Sequence, residues 1–179
     1  MHGLIFSEIK KYVDTKLGGD TWKQLLNDTG LSSRVYTNVQ VYPDAEAVAI
    51  VSAASKRTGT PAAAILEDFG QFISSDLLGM YPALIRPEWK TLEVLENVED
   101  TIHSVVRARQ SGAQPAQLSS KRSGPSQIML TYNSPRKMCP VAKGIITGLG
   151  QHFHQRLSID ETACMHRGAA ACTFVVNVL

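Results

Sequence analysis

Apolar residues recur every three or four positions through most of the first 110 residues, a spacing typical of amphipathic helices. In the opening segment, Ile5, Ile9 and Val13 fall on one stripe, while Lys10 and Lys11 lie off it. The N-terminal part of the chain is therefore predicted to be helical. The predicted helices cover residues 2–17, a short segment from Asp20, and segments that begin at Asp44 and at Thr60.

A long helix is predicted from Thr91 to about Arg109, because Leu92, Leu95 and further apolar residues recur along one side of it. His103 lies on the edge of this apolar stripe, almost in line with Leu92 eleven residues earlier. The helix therefore places an imidazole beside an apolar surface.

After residue 116 the spacing changes from helical to alternating, which predicts β-strands. Residues 117–122 and 127–132 form a predicted hairpin, and a helix follows from Pro140. Two more strands are predicted at about residues 156–165 and 171–178. The predicted fold class is α+β, with a helical N-terminal lobe packed on a C-terminal lobe that contains a four-stranded antiparallel sheet and helices.

The composition is that of an ordinary globular protein, with 44% hydrophobic and 19% charged residues among 179. The formal net charge is +2 and no dense basic run occurs, so nucleic acid is not favoured as a partner. Apolar runs are shorter than the roughly 18 residues that a membrane helix needs, and charges appear too early for a signal peptide. We expect a cytoplasmic protein that does not associate with membranes.

Anion-binding groups are concentrated in the segment Tyr132-Asn133-Ser134-Pro135-Arg136. Tyr132 and Ser134 are two residues apart and would face the same side of an extended chain. Their hydroxyls and the planar guanidinium of Arg136 can converge on one carboxylate or phosphate. This anion site, a histidine beside an apolar face and a helical lobe are together what a b-type haem requires.

The chain resembles the H-NOX (haem nitric-oxide/oxygen-binding) domain family, which is related to the haem domain of soluble guanylate cyclase. The resemblance covers essentially the whole length and implies a single domain, with a distal lobe of residues 1–65, a proximal lobe of residues 66–179, and haem between them. The residues that carry it, in the family's order and spacing, are Met1 to Phe6, Phe69-Gly70-Gln71-Phe72, His103, Pro115 and Tyr132 to Arg136.

This resemblance also implies roles for individual residues around the haem. His103 would be the proximal ligand of the iron, while Ile5 and Pro115 match positions that press on the porphyrin and distort it. The haem propionates would be held by Tyr132, Ser134 and Arg136.

Members of the family that bind oxygen place a tyrosine at the position of Val141, supported by polar groups from the first and fourth helices. Here the first-helix position is Ile9, and Ser74 alone is polar. The resemblance therefore implies a sensor of nitric oxide that does not hold oxygen stably. By analogy, nitric oxide would weaken or break the bond between His103 and iron, and the lobes would rotate to regulate a separate histidine kinase or cyclic-di-GMP enzyme.

The three cysteines, Cys139, Cys164 and Cys172, are expected to approach one another, because the last two strands pair across a turn near Gly168. Cys164 is expected on the third strand. Three thiolates with one imidazole or carboxylate would make a tetrahedral zinc site, and three buried apolar thiols are the alternative.

A subset of H-NOX proteins carries zinc and has the Cys-Met-His-x-Gly string that begins here at Cys164. That subset has histidine at the position of Glu161, so the fourth ligand here is either Glu161 or His166. Oxidation of the thiolates could release zinc, which adds a secondary hypothesis of redox sensing.

Two other classes of function compete with a haem sensor. One is a haem-free regulatory module that binds a small organic anion through Arg136. The other is a hydrolytic enzyme, which is disfavoured because no nucleophile stands in a recognisable turn and no paired carboxylates have useful spacing.

Overall fold

The structure is a computed structural model that describes residues 1–110 and 112–179. It has the predicted α+β architecture, in which helices precede a four-stranded antiparallel sheet. Among the described residues, no helix is both long enough and apolar enough to cross a membrane. The helices are α1 (Gly3–Leu17), α2 (Thr21–Asp28), α3 (Asp44–Thr58), α4 (Ala62–Met80), α5 (Thr91–Val98), α6 (Ser104–Arg109) and α7 (Cys139–His152).

The long helix predicted from Thr91 to Arg109 is present, but it contains one irregular turn. Helices α5 and α6 are joined by a π-helical segment, Glu99–His103, without a break in helical backbone angles. Such wider turns are rare and are frequently found at functional sites. His103 is the last residue of this π-helical segment. The spacing of apolar residues in the sequence does not reveal that the turn is π-helical.

The sheet consists of β1 (Gln117–Arg122), β2 (Gln127–Asn133), β3 (Leu157–Ala163) and β4 (Cys172–Val178), in the spatial order β1-β2-β4-β3. The predicted hairpin is β1 and β2, and all three pairings are antiparallel. Leu118, Tyr132 and Cys172 are register partners in one row across three strands. The prediction that Cys164 lies on the third strand was wrong. After a register shift between Glu161 and Ala163, the pairing ends at Ala163, and Cys164 lies in the turn before β4.

The buried apolar side chains form two clusters, one from residues 1–73 and one from residues 78–176. Helix α4 runs unbroken through residue 65, where the two lobes are predicted to meet, so that boundary stays a prediction. Helices α4 and α7 pack closely because glycines remove side chains from the contact. A Cβ atom on Gly144 would lie 1.9 Å from the carbonyl oxygen of Glu67, and one on Gly70 would lie 2.2 Å from that of Val141.

Candidate functional site

An apolar cavity of about 350 Å³ is enclosed by helices from both core clusters and by the first two strands. Its walls are mostly Leu, Ile and Val, and its polar groups are few. The cavity brings together every residue that the sequence assigns to a haem pocket, although they are spread over more than 130 positions. These residues are Ile5, Ile9, Ser74, His103, Pro115, Tyr132, Ser134, Arg136 and Val141.

His103 presents its imidazole to the cavity from the π-helical segment, and its side chain is 19% exposed. Its Nδ1 lies 2.9 Å from Oε2 of Glu99, one helical turn earlier. Burial lowers the pKa of His103 below its usual value, although the Glu99 carboxylate opposes that shift. A neutral ring that donates from Nδ1 keeps the lone pair on Nε2, which is the form that binds a metal ion.

Glu99 is a residue of this site that the sequence analysis missed. Burial would raise its pKa, but hydrogen bonds from His103, the Leu118 backbone and Arg107 hold the pKa below its usual value. The carboxylate is therefore ionised beside the imidazole. Its position four residues before His103, on the same helix face, was the available signal.

Tyr132, Ser134 and Arg136 all line the cavity, and the part of it that they line is called here the anion-binding end. Tyr132 is 5% exposed and Ser134 is 3% exposed, and burial raises the pKa of Tyr132. The Tyr132 hydroxyl accepts a hydrogen bond from the Met138 backbone at 3.1 Å, and Ser134 Oγ accepts one from the Arg136 backbone at 3.3 Å. Both hydroxyls therefore keep their protons and can donate them to an anion.

Asp44 forms ion pairs that connect the anion-binding end to the N-terminus of the chain. Its Oδ1 accepts a hydrogen bond from Nε of Arg136 at 2.9 Å and lies 2.7 Å from the buried ammonium of Met1. Burial would raise the pKa of Asp44, but these two cations hold it below its usual value. The sequence predicts Asp44 only as the start of a helix. The ion pair joins groups 92 positions apart along the chain, so no local pattern indicates it.

The cavity wall made by α1, α4 and α7 is almost free of hydrogen-bond donors. Ile9 and Val141 contribute only hydrocarbon, and the Ser74 hydroxyl donates to the carbonyl of Gln71 in its own helix at 2.8 Å. The ring of Tyr12 also lines the cavity, but its hydroxyl donates to Asp68 at 2.8 Å. Among the described residues, both hydroxyls of this wall are therefore already engaged, and it has no free donor to offer to a small bound gas.

The residues of the cavity fit a b-type haem by their chemistry. An apolar wall suits the faces of a porphyrin, and His103 offers a ring nitrogen from one side. At one edge, two hydroxyls and a guanidinium suit the two carboxylates of the propionates. No carboxylate of the described residues lines the cavity, and the Asp44 carboxylate that contacts Arg136 is balanced by Arg136 and by the Met1 ammonium.

The three cysteines form a second cluster behind the anion-binding end. Cys164 Sγ lies 3.8 Å from that of Cys139 and 4.0 Å from that of Cys172, and all three thiols are free and buried. Burial raises the pKa values of Cys139 and Cys172. The neighbouring thiols add to this shift at Cys139, whereas the hydrogen bond from the Met165 backbone opposes it at Cys172. A divalent cation would reverse this shift, because a coordinated thiol is deprotonated.

Of the two candidate fourth ligands, Glu161 lies beside the cysteine cluster, whereas His166 is not among the residues grouped with it. One carboxylate oxygen of Glu161 and the three sulfurs lie within 4.8 Å of one another, which is the spacing of a four-ligand metal site. Glu161 is also paired with Arg167 at 3.1 Å. His166 is exposed and its Nε2 is bonded to the Lys137 carbonyl at 2.7 Å. The geometry therefore favours Glu161 as the fourth ligand.

Comparisons with known proteins show which family the chain resembles in sequence and fold. The sequence model of the family described as Haem-NO-binding matches residues 2–161. A crystal structure of an H-NOX protein from S. oneidensis in the Fe(II)NO ligation state superposes with a TM-score of 0.93. The two chains are 27% identical, and the match covers 100% of this chain and 99% of the other.

Two further solved structures give the same result. The NMR structure of an H-NOX domain from Shewanella oneidensis in the Fe(II)CO ligation state has a TM-score of 0.89 at 27% identity, with 100% and 99% of the two chains covered. The unliganded Fe(II) H-NOX protein from K. algicida has a TM-score of 0.87 at 22% identity, with 100% and 97% covered, and shares the fold. No curated protein was found to match by sequence.

Proposed function

The chain belongs to the haem-NO-binding (H-NOX) family, and we propose that it is a haem-based sensor that binds nitric oxide at ferrous haem and regulates a separate signalling partner. The observation that carries the proposal is the convergence of all nine predicted pocket residues on one apolar cavity. His103 would offer Nε2 there, while Tyr132, Ser134 and Arg136 line the anion-binding end. In this role the protein needs no catalytic step of its own.

The bound haem supplies the ferrous iron at which nitric oxide binds. His103 ligates that iron from the long helix, with its ring orientation fixed through Nδ1. Tyr132, Ser134 and Arg136 bind the propionates by charge-assisted hydrogen bonds. The apolar walls would exclude water, and Ile5 and Pro115, which line the cavity, would press on a bound porphyrin.

Selectivity for nitric oxide over oxygen is proposed to come from the absence of a donor in the distal wall. Bound oxygen carries partial negative charge and gains from a hydrogen-bond donor, whereas nitric oxide on ferrous iron needs none. Ile9 and Val141 cannot donate, and the hydroxyl of Ser74 is engaged by the Gln71 carbonyl. The pocket therefore gives oxygen no extra stabilisation.

The output is proposed to be a shift between two arrangements of the lobes. Asp44 connects the amino terminus to Arg136, so a change at the anion-binding end reaches the N-terminal helices directly. Release of His103 from a bound haem iron would let the helical lobe rotate against the sheet lobe. A separate histidine kinase or cyclic-di-GMP enzyme reads this change, and a reducing compartment such as the cytoplasm keeps the three thiols free.

A zinc ion bound by Cys139, Cys164, Cys172 and Glu161 is the second part of the proposal. The four ligand atoms already lie within 4.8 Å of one another and are buried or half-buried. Oxidation of the thiolates would release the ion, which makes the cluster a redox input to the same output.

Haem content and the His103→Ala variant test the main proposal. We expect the purified protein, expressed with sufficient haem or reconstituted, to hold one haem per chain with a ferrous Soret band. His103→Ala should lose haem or regain it only with added imidazole. A colourless protein that cannot be reconstituted would instead support the haem-free module, in which Arg136 binds an organic anion.

A further inference from the structure

The carboxylate of Glu99 contacts the proposed iron ligand and, on its other sides, two other parts of the fold. Oε2 lies 2.9 Å from His103 Nδ1 and accepts a hydrogen bond from the backbone of Leu118 at 3.0 Å. Oε1 accepts one from Arg107 at 2.7 Å. We propose that Glu99 is a positioning residue that sets the strength of the bond between His103 and the haem iron. This inference rests on the proposed function.

Both oxygens of Glu99 are held, so the carboxylate cannot turn away from the imidazole without losing other bonds. The Leu118 bond comes from β1 and the Arg107 bond from α6, while Glu99 itself begins the π-helical segment. Three parts of the fold thus fix one side chain. A carboxylate fixed in this way orients the imidazole more strictly than a surface ion pair would, because its own rotamers are restricted.

The charge of Glu99 acts on the electronic character of the imidazole. A carboxylate that accepts the Nδ1 proton makes the opposite nitrogen a stronger donor to a metal ion. His103 would then hold iron more tightly, and its release by nitric oxide would be less complete. Arg107 lies on the other oxygen and withdraws part of the negative charge. The pair Glu99 and Arg107 therefore sets the level of donation from His103.

Glu99 also connects His103 to the sheet. Its Oε2 is shared between the imidazole and the Leu118 backbone, and Leu118 is the register partner of Tyr132 at the anion-binding end. Movement of the helix that carries His103 must either pull β1 with it or break this shared contact. Through Glu99, His103 is thus connected by hydrogen bonds to β1, which pairs with the strand that carries Tyr132.

The test compares Glu99→Gln with Glu96→Gln in the haem-loaded protein. Glu96 lies on the same helix, and within the described part of the chain its carboxylate pairs with Arg122 alone, at 3.5 Å, so its variant controls for loss of one acidic residue. Resonance Raman spectra of the ferrous protein report the iron–histidine stretching frequency. We expect that frequency to fall in Glu99→Gln, haem affinity to drop by about tenfold, and histidine release by nitric oxide to become more complete. Glu96→Gln should match the wild type.

Arg107→Gln provides a second variant with an effect of opposite sign. It removes the cation that offsets Glu99, so the stretching frequency should rise above that of the wild type. A merely structural role would lower stability in both variants and would not move the frequency in opposite directions. Circular dichroism spectra confirm that each variant is folded.

Two negative results have different meanings. If the wild type binds haem, but Glu99→Gln and Arg107→Gln have the same iron–histidine stretching frequency as the wild type, the role of Glu99 is overturned and the proposed function is not. Wild-type protein that binds no haem would overturn the proposed function, and the role of Glu99 with it.

Discussion

Tyr132 of β2 and Cys172 of β4 are register partners, so the anion-binding end of the cavity and the cysteine cluster share one row of the sheet. The Tyr132 hydroxyl also accepts a hydrogen bond from the backbone of Met138, the residue before Cys139. Tyr132 thus contacts the residue before Cys139 through its hydroxyl and is the strand partner of Cys172. A change at the cysteine cluster therefore has a short path to the proposed propionate site.

The fourth zinc ligand is the first prediction. We expect one zinc per chain by native mass spectrometry, removable with a chelator. Glu161→Gln should lower zinc affinity by more than about tenfold, because loss of a direct ligand costs at least as much as loss of a group that supports one. His166→Ala should leave the affinity unchanged, since that ring is bonded to the Lys137 carbonyl.

The Cys172→Ser variant is the control for this experiment and should lose zinc. Absence of zinc from the carefully purified wild type would remove the metal site. Loss of zinc in His166→Ala but not in Glu161→Gln would reverse the assignment of the fourth ligand.

A second prediction concerns pH and the ion pair between Asp44 and Arg136. The cations beside Asp44 hold its pKa in the folded protein below the pKa it has in the unfolded chain. The ionised carboxylate therefore stabilises the fold fully at pH values above the unfolded-state pKa. The contribution is lost as the pH falls through the lower, folded pKa. Asp44→Asn should therefore reduce the free energy of unfolding in urea at pH 7, and the difference from wild type should shrink in strong acid. Asp160→Asn, at an exposed strand position, should change little at either pH.

The distal wall gives a third prediction. Val141→Tyr introduces a hydroxyl into an otherwise apolar wall, and the reduced, haem-loaded variant should show a changed absorption spectrum on exposure to air. Val141→Phe adds a ring of the same size without the donor and should behave as the wild type does. Equal responses of the two variants to air would show that hydrogen bonding at this position does not govern selectivity.

The contact between helices α4 and α7 gives a fourth prediction. A methyl group at Gly144 would meet the Glu67 carbonyl, so Gly144→Ala should lower the free energy of unfolding by about 1–3 kcal/mol. Gly79 lies in α4 with no atom near the position of an added Cβ. Gly79→Ala should therefore be neutral or stabilise the protein by up to about 1 kcal/mol, because alanine favours helix. Destabilisation by both variants to the same extent would contradict the close-packing account.

Local spacing was enough to predict most elements of the fold. The change from a three-to-four period to a two-residue period separates the helices from the sheet, and the hairpin of β1 and β2 has nearly the predicted bounds. What spacing did not reveal is the π-helical segment at His103, because its side chains keep an approximately helical pattern. The end of β3 before Cys164 depends on a register shift against β4, which is a property of the pair of strands.

The candidate site divides in the same way. His103 and the Tyr132 to Arg136 segment could be identified because each combines chemically distinctive residues at short spacing. Asp44 could not, since its partners Met1 and Arg136 meet it only in the folded chain. Glu99 was accessible in principle at one helical turn from His103, but many such pairs are surface ion pairs. Its half-buried position and its hydrogen bond from the Leu118 backbone distinguish it.

The most direct measurement is a titration of the ferrous, haem-loaded protein with nitric oxide, followed by its absorption spectrum. We predict that the Soret band moves to a new position and that the titration ends at one nitric oxide per chain. Without nitric oxide, exposure of the ferrous protein to oxygen should give no spectrum of a stable oxygen complex. His103→Ala with imidazole bound in place of the side chain should also respond. A Soret band that does not move with nitric oxide, or a stable oxygen complex in the wild type, would contradict the account.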